Sequence, residues 1–172
     1  MLRLFTTAFA ELHKADAPVL FTEDQAPAID PAIKTINQDF HSLMYKFAFL
    51  DNQADYDAYT EKFFAFLDNM EVTLSKQAFV AGNELSEADI HFYTPVVRWD
   101  VACRELLLIN KYSLEDYPHV FAWAKKLYND FGLKSLTNPQ AIKENYYLGK
   151  FGKATHVHQI LPAGPNMAKW EN

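Results

Sequence analysis

Apolar residues recur in steps of three and four along most of this chain, the spacing that gathers them on one face of an α-helix. Leu2, Phe5, Phe9 and Leu12 make the first such stripe. Residues 16–28, with Pro18 and Pro27, read as a connecting loop. Asp30-Pro31 then predicts a second helix, a cap followed by proline at the first helical position. Its stripe runs Ile33, Ile36, Phe40, Leu43, Phe47. A third helix, over roughly residues 53–76, carries Tyr56, Tyr59, Phe63, Leu67, Met70 and Leu74.

The most informative stretch is Gly82-Asn83-Glu84-Leu85-Ser86-Glu87-Ala88-Asp89-Ile90. Ser86 and Asp89 have the spacing of a capping box, in which each side chain meets the other residue's backbone N–H. Leu85 and Ile90 flank the box as a hydrophobic staple that sets the angle of chain entry. The helix that follows, to about Leu108, reads as apolar nearly all round and so belongs in the middle of a core. Pro95 within it removes a backbone donor and predicts a kink.

Ser113 to Asp116 is another entry signal, before a helix bearing Val120, Trp123, Ala124 and Leu127, with Gly132 as its stop. Asn138-Pro139 caps a last helix through about Leu148. Beyond Gly149 no regular pattern continues. No segment alternates with strand period and no internal repeat is present. The expectation is an all-α bundle over residues 1–149, followed by an irregular C-terminal extension over residues 150–172. The first helix lacks a capping residue before it, which suggests that the chain is the later part of a longer protein.

Composition narrows the function classes. The 172 residues suit one domain with a sizeable core, 49% of them hydrophobic and 15% aromatic. A formal charge of −6 argues against nucleic acid, which needs clustered Lys and Arg. No apolar run approaches a membrane span, and the N-terminus is not a secretory signal. The single cysteine excludes an internal disulfide framework and fits a reducing, cytoplasmic setting.

Taken in order, several segments resemble the glutathionyl-hydroquinone reductases, the Xi-type branch of the glutathione transferases. Leu2 to Phe9 looks like the first helix after that family's thioredoxin-like domain. Tyr45-Lys46-Phe47-Ala48-Phe49 and Ala54-Asp55-Tyr56-Asp57 are similar to its Tyr-Lys-x-x-Phe segment and the next helix. Gly82 to Ile90, then Val96-Val97-Arg98-Trp99-Asp100, resemble its central helix. Asn145-Tyr146-Tyr147 and Ile160-Leu161-Pro162-Ala163-Gly164-Pro165 resemble its C-terminal part.

The resemblance implies a glutathione-transferase C-terminal helical domain. In that family a thioredoxin-like half holds glutathione, the cosubstrate, and a nucleophilic cysteine in a Cys-Pro-Trp-Ala motif. The helical half receives an aromatic or quinol substrate and builds much of a homodimer interface. This sequence contains no Cys-Pro-Trp-Ala, and it starts after the position of the family's Glu-Ser glutathione grip. No catalytic residue is assigned, and the chain alone is expected to be inactive. The alternative is a non-enzymatic glutathione-transferase-like scaffold or interaction module.

Tyr45 and Tyr146 are the candidate substrate contacts. On a continuous α-helix Tyr45 lies about 140° from Phe40, off the core stripe, where a phenol could both stack on and hydrogen-bond a quinol. An ordinary interfacial tyrosine is the competing explanation. Tyr146 matches a substrate-facing tyrosine of the family, with Tyr147 as the adjacent alternative. Cys103, inside the apolar central helix, reads as structural because burial makes a thiol inert. The family tends to carry an aromatic residue there. Arg98 and Asp100 are expected to find partners elsewhere in the fold. His41 reads as a surface histidine. His156 and His158 lack a third ligand at a recognised spacing, so no metal is expected.

Overall fold

The computed structural model describes residues 2–15, 17–154 and 160–171. Among them every extended element is helical, and the sole β feature is an isolated bridge between Phe79 and Gly82. The all-α expectation holds. Helix α1 is Leu2–Thr7, followed by a 3-10 turn at Ala10–Leu12. Helix α2 covers residues 26–49: Ala26–Thr35 is α-helical, Ile36–His41 is a π turn, Ser42–Lys46 is α-helical, and Phe47–Phe49 closes in a 3-10 turn. Helix α3 is Gln53–Leu74, capped by Asn52, whose side chain accepts from the Asp55 N–H.

The central helix α4 covers residues 87–106, with a π turn at Trp99–Cys103 between Glu87–Arg98 and Arg104–Leu106. Helix α5 is Pro118–Asp130, and Gly132 stands just past its end at φ +74, the left-handed conformation that glycine adopts without a Cβ clash. Helix α6 covers residues 139–148, Pro139–Lys143 as α and Glu144–Leu148 as a second-half π turn, capped by Asn138. A short turn α7, Lys150–Ala154, follows.

Four expectations need correction. Helix α2 starts at Ala26, with Pro27 in its first turn and Pro31 inside it, so the loop is shorter than residues 16–28. Either proline fits a helix start; burying Ile29 decides for the earlier one. Asp30 is not a cap but a partner of Arg3 at 2.5 Å. The Ser113 box opens only a 3-10 turn, Leu114–Asp116, and α5 begins after it. The region after Gly149 contains α7 and a 3-10 turn at Met167–Trp170.

The described side chains of the first stripe lie outside the core. Phe5 and Phe9 are exposed and Leu12 is 80% exposed. What seats α1 is Arg3, bound to Glu87 at 3.0 Å and stacked 3.8 Å over the Phe21 ring.

The core is an aromatic stack. Phe40 from α2 stacks on Phe63 at 4.6 Å and Phe66 at 5.2 Å from α3, and Phe92 from α4 stacks on Trp123 from α5 at 4.9 Å. Each ring removes a large apolar area from water, and offset ring pairs add roughly 0.5–1.5 kcal/mol beyond that area. Glu71 of α3 accepts the His119 and Val120 backbone N–H groups, each at 2.9 Å, and so caps α5.

Asp89 is the polar centre. It is 0% exposed, and its carboxylate accepts from four donors: Val80 N–H and Trp123 Nε1–H at 2.9 Å on one oxygen, Ser86 N–H at 2.9 Å and Ser86 Oγ–H at 3.0 Å on the other. The carboxylate thus completes the capping box and joins the residue-80 turn to α5.

The C-terminal segment is strapped across the bundle. Trp170 is 0% exposed, its indole N–H donating to Asp100 at 3.0 Å while Lys169 reaches Asp100 at 2.7 Å and Glu115 at 2.9 Å. Lys143 donates to the Pro162 carbonyl at 3.0 Å.

Replacing Asp89 by Ala leaves four buried donors without an acceptor, an expected loss of about 3–5 kcal/mol of stability. Urea unfolding measures it. Ser86→Ala, which removes only one of those donors, is expected to cost about 1 kcal/mol.

Candidate functional site

Tyr45 and Tyr146 lie 101 positions apart in sequence and share a hydrogen bond of 2.7 Å between their hydroxyls. Their rings are nearly parallel, with centroids 6.3 Å apart. Tyr146 is buried and Tyr45 half-buried, so the pair has one foot in the core and one at the surface. Burial foremost, then the neighbouring Cys103 and Tyr45, pushes the Tyr146 phenol well above the ordinary tyrosine value, which keeps it a proton donor at neutral pH.

Three π turns converge here. His41 closes the first, Cys103 ends the second, and Tyr146 sits in the third. Each π turn carries an i→i+5 bond in place of i→i+4, which re-aims the side chains after it. Tyr147 points the other way, its hydroxyl 3.5 Å from the Ala102 carbonyl. Between the two tyrosines, Tyr146 is the one that meets Tyr45.

Central helix α4 is not apolar all round. Glu87, His91, Thr94 and Arg98 fall at i, i+4, i+7 and i+11, a polar stripe on one face. The sequence contained this signal, masked by the apolar residues interleaved with it on every turn. Glu87 is buried and engaged by Arg3. His41 of α2 faces the same stripe: burial first, then the Arg98 and His91 charges, hold its imidazolium below the usual value. His91 is likewise depressed, mainly by burial, with Glu87 pulling the other way and Arg3 adding to the depression. His41 is therefore no free surface residue; it is half-buried with its ring 5.3 Å from that of Tyr45.

Beside Tyr146 opens a cavity of about 400 Å³ between α4, α6 and the segment around Leu133. Ile90, Val97, Leu133 and Ile142 give it apolar walls; Arg98, Thr94, Asn138 and Asn145 give it polar points. The Tyr93 phenol, pushed up to about 12 by burial, also lines it and pairs with Thr137 at 2.9 Å. Such a mixture suits a compact aromatic ligand with a few hydrogen-bonding groups.

Asp100 finds the expected partners in Lys169 and Trp170. Arg98 does not: its Nη1 donates to Thr94 O at 2.8 Å on its own helix, and no carboxylate among the described residues pairs with it. Cys103 is fully buried beside Tyr146, its thiol pushed up to about 12. His156 and His158 lie outside the described residues. Among the described residues no group of three His, Cys, Asp or Glu is placed to hold a metal, and no helix is long and apolar enough to cross a membrane.

Residues 53–126 match the family model described as glutathione S-transferase, C-terminal domain. Over 165 residues, the chain is 27% identical to the glutathionyl-hydroquinone reductase YqjG of Escherichia coli, covering 96% of this chain and 49% of that protein. The glutathione-bound structure of YqjG matches at TM-score 0.87 and 27% identity, over 95% of this chain and 52% of that one. The Xi glutathione S-transferase of Phanerochaete chrysosporium matches at TM-score 0.85 and 30% identity, over 95% and 53%. The chain spans about half the length of the curated relatives it matches. Its fold is that of a glutathione-transferase C-terminal domain, and its resemblance to the Xi branch runs through nearly the whole sequence.

Two outcomes follow from the buried groups. Native protein at pH 8 should leave Cys103 unreacted with an aromatic disulfide reagent until urea unfolds the chain; rapid labelling of folded protein would contradict the assignment of Cys103 as inert. Both histidines are depressed, so the stability they contribute is fully present above the unfolded value of about 6.5 and is lost as pH falls below it. A His41→Asn/His91→Asn variant should lose less stability than wild type between pH 7 and pH 5, read as unfolding midpoints. Parallel curves would refute it.

Proposed function

We propose that this chain is the acceptor half of a glutathione-dependent reductase. It is a substrate-binding and dimerising helical domain that receives the aromatic part of a glutathionyl-hydroquinone. The reactive thiol and the main glutathione-binding residues then belong to a thioredoxin-like half outside these 172 residues. The observation that supports this most is the Tyr45–Tyr146 pair, two phenols from distant segments sharing one hydrogen bond beside an aromatic-sized cavity. The glutathione-bound relative supports glutathione as cosubstrate.

In the reaction that the resemblance implies, a cysteine thiolate attacks the sulfur of the conjugate. The ring carbon–sulfur bond breaks with its electron pair going to the ring, which takes a proton and leaves as the hydroquinone. The resulting mixed disulfide is opened by a second glutathione, giving glutathione disulfide and the free thiol. Nothing in that sequence requires a nucleophile from the helical half. Its task is orientation: tyrosine hydroxyls hold the quinol oxygens so that the carbon–sulfur bond faces the thiol. Tyr146 remains protonated throughout because ionising it would place a charge beside buried neighbours.

In this reading residues 1–149 are the helical body, residues 150–172 are an extension strapped to it, and the protein works in the cytoplasm as a homodimer. A scaffold or interaction module is the second reading. The exposed Leu4, Phe5, Phe9 and Leu12 favour it, since they form an apolar surface that a partner protein could also cover.

Purified chain supplied with glutathione and S-glutathionyl-menadiol should bind the conjugate without turning it over. Turnover surviving in Cys103→Ser would contradict the placement of the chemistry. Tyr45→Phe and Tyr146→Phe should each weaken menadiol binding about 5–10-fold, the worth of one hydrogen bond near 1 kcal/mol. If neither substitution changes binding, the scaffold reading stands instead. Light scattering at micromolar concentration should report a dimer, and a monomer would count against the assembly.

A further inference from the structure

The cavity beside Tyr146 has a charge character opposite to that of the chain. The protein carries 22 acidic residues against 16 Lys and Arg, yet among the described residues no Asp or Glu lines this cavity. Arg98 does line it. Its guanidinium has five N–H donors in a planar fork, of which the described residues engage Nη1, by the Thr94 carbonyl at 2.8 Å. A half-buried guanidinium without a carboxylate is costly unless something anionic arrives.

The surroundings strengthen this. Glu87, the one acid on the stripe, is removed from the balance by Arg3 at 3.0 Å. His91 and Arg98 continue the stripe, and His41 meets them from α2, close to Tyr45. Arg98 therefore borders a phenol pair on one side and an apolar chamber on the other, with the two imidazoles beside it.

We propose that Arg98, flanked by His41 and His91, receives a carboxylate of the ligand, so that the pocket takes an aromatic phenol tethered to a carboxylate in preference to a neutral quinol. This rests on the preceding reading that Tyr45 and Tyr146 face an aromatic ligand, and adds a charge requirement to it. The fork of Arg98 matches a carboxylate with two parallel hydrogen bonds, a geometry lysine cannot supply. The apolar walls hold the ring and the tyrosine hydroxyl meets the phenol. The carboxylate has two sources: the ring itself, or the peptide part of a glutathionyl conjugate.

Isothermal titration of the purified chain tests this with two matched pairs. One is 6-hydroxy-2-naphthoate against 6-hydroxy-2-naphthamide, which places the charge on the ring. The other is S-benzylglutathione against its diethyl ester, which places it on the peptide. The expected result is at least about tenfold tighter binding of the acid in one pair or both, and the pair that shows it identifies the source. Arg98→Met should bring that ratio below about threefold, and Arg98→Lys should recover only part of it. Should Arg98→Met fail to fold, Arg98→Lys, which keeps the charge but loses the fork, should still lower the ratio by about threefold.

Equal affinities within both pairs would overturn the charge requirement, as would an acid preference indifferent to all these substitutions. If the naphthamide binds and its affinity falls in Tyr45→Phe, the aromatic pocket survives that failure. Absence of binding by all four probes would remove both readings together.

Discussion

One buried carboxylate holds the architecture in place. Asp89 is sealed from water at the start of the central helix, and burial pushes its pKa up despite four donors. A charge in that position is tolerable only because every lone pair is used. Its oxygens tie the turn carrying Val80, the cap at Ser86 and the indole of Trp123 to one point. Once that point is set, the rotation of the central helix is set with it. The face bearing Phe92 turns to the aromatic core, and the face bearing Thr94 and Arg98 turns to the cavity. The site inherits its geometry from a residue that never touches it.

The site itself is assembled where three helices depart from regular α geometry. A π turn costs hydrogen-bond quality, so its recurrence around one cluster indicates that the side-chain placement is worth more to the fold than regular backbone. On α2 the turn ends at His41 and hands Tyr45 to the cleft; on α6 it carries Tyr146 across to meet it. The strap formed by Lys169 and Trp170 on Asp100 holds the opposite side of α4, so the central helix is clamped from both sides. A rigid frame of that kind favours a ligand held by few, well-aimed polar groups.

Much of the frame was legible from periodicity. The stripes of α2 and α3, the box at Ser86, the stop at Gly132 and the cap at Asn138 each have a local physical cause, and each lies where that cause puts it. What was not legible depends on distant contacts. Asp30-Pro31 is the stronger local start signal, yet the helix begins at Ala26, four residues earlier, and Ile29 is buried within it. The angle between Phe40 and Tyr45 assumed unbroken α-helix, and the π turn changes it. Tyr146 and Tyr147 are equivalent in sequence; only packing assigns one to Tyr45 and the other to Ala102. The polar stripe of α4 was present as a spacing, but its meaning appears only when Arg3 neutralises Glu87 and leaves Arg98 unmatched.

The central functional idea is that Tyr45 and Tyr146 work as one hydrogen-bonded unit on a bound phenol. A double-mutant cycle on hydroquinone affinity measures this coupling directly, comparing Tyr45→Phe, Tyr146→Phe and the double variant. The double variant is predicted to bind no more weakly than the weaker single variant, because breaking either hydroxyl already dissolves the pair. Strictly additive losses would show two independent tyrosines and contradict the account.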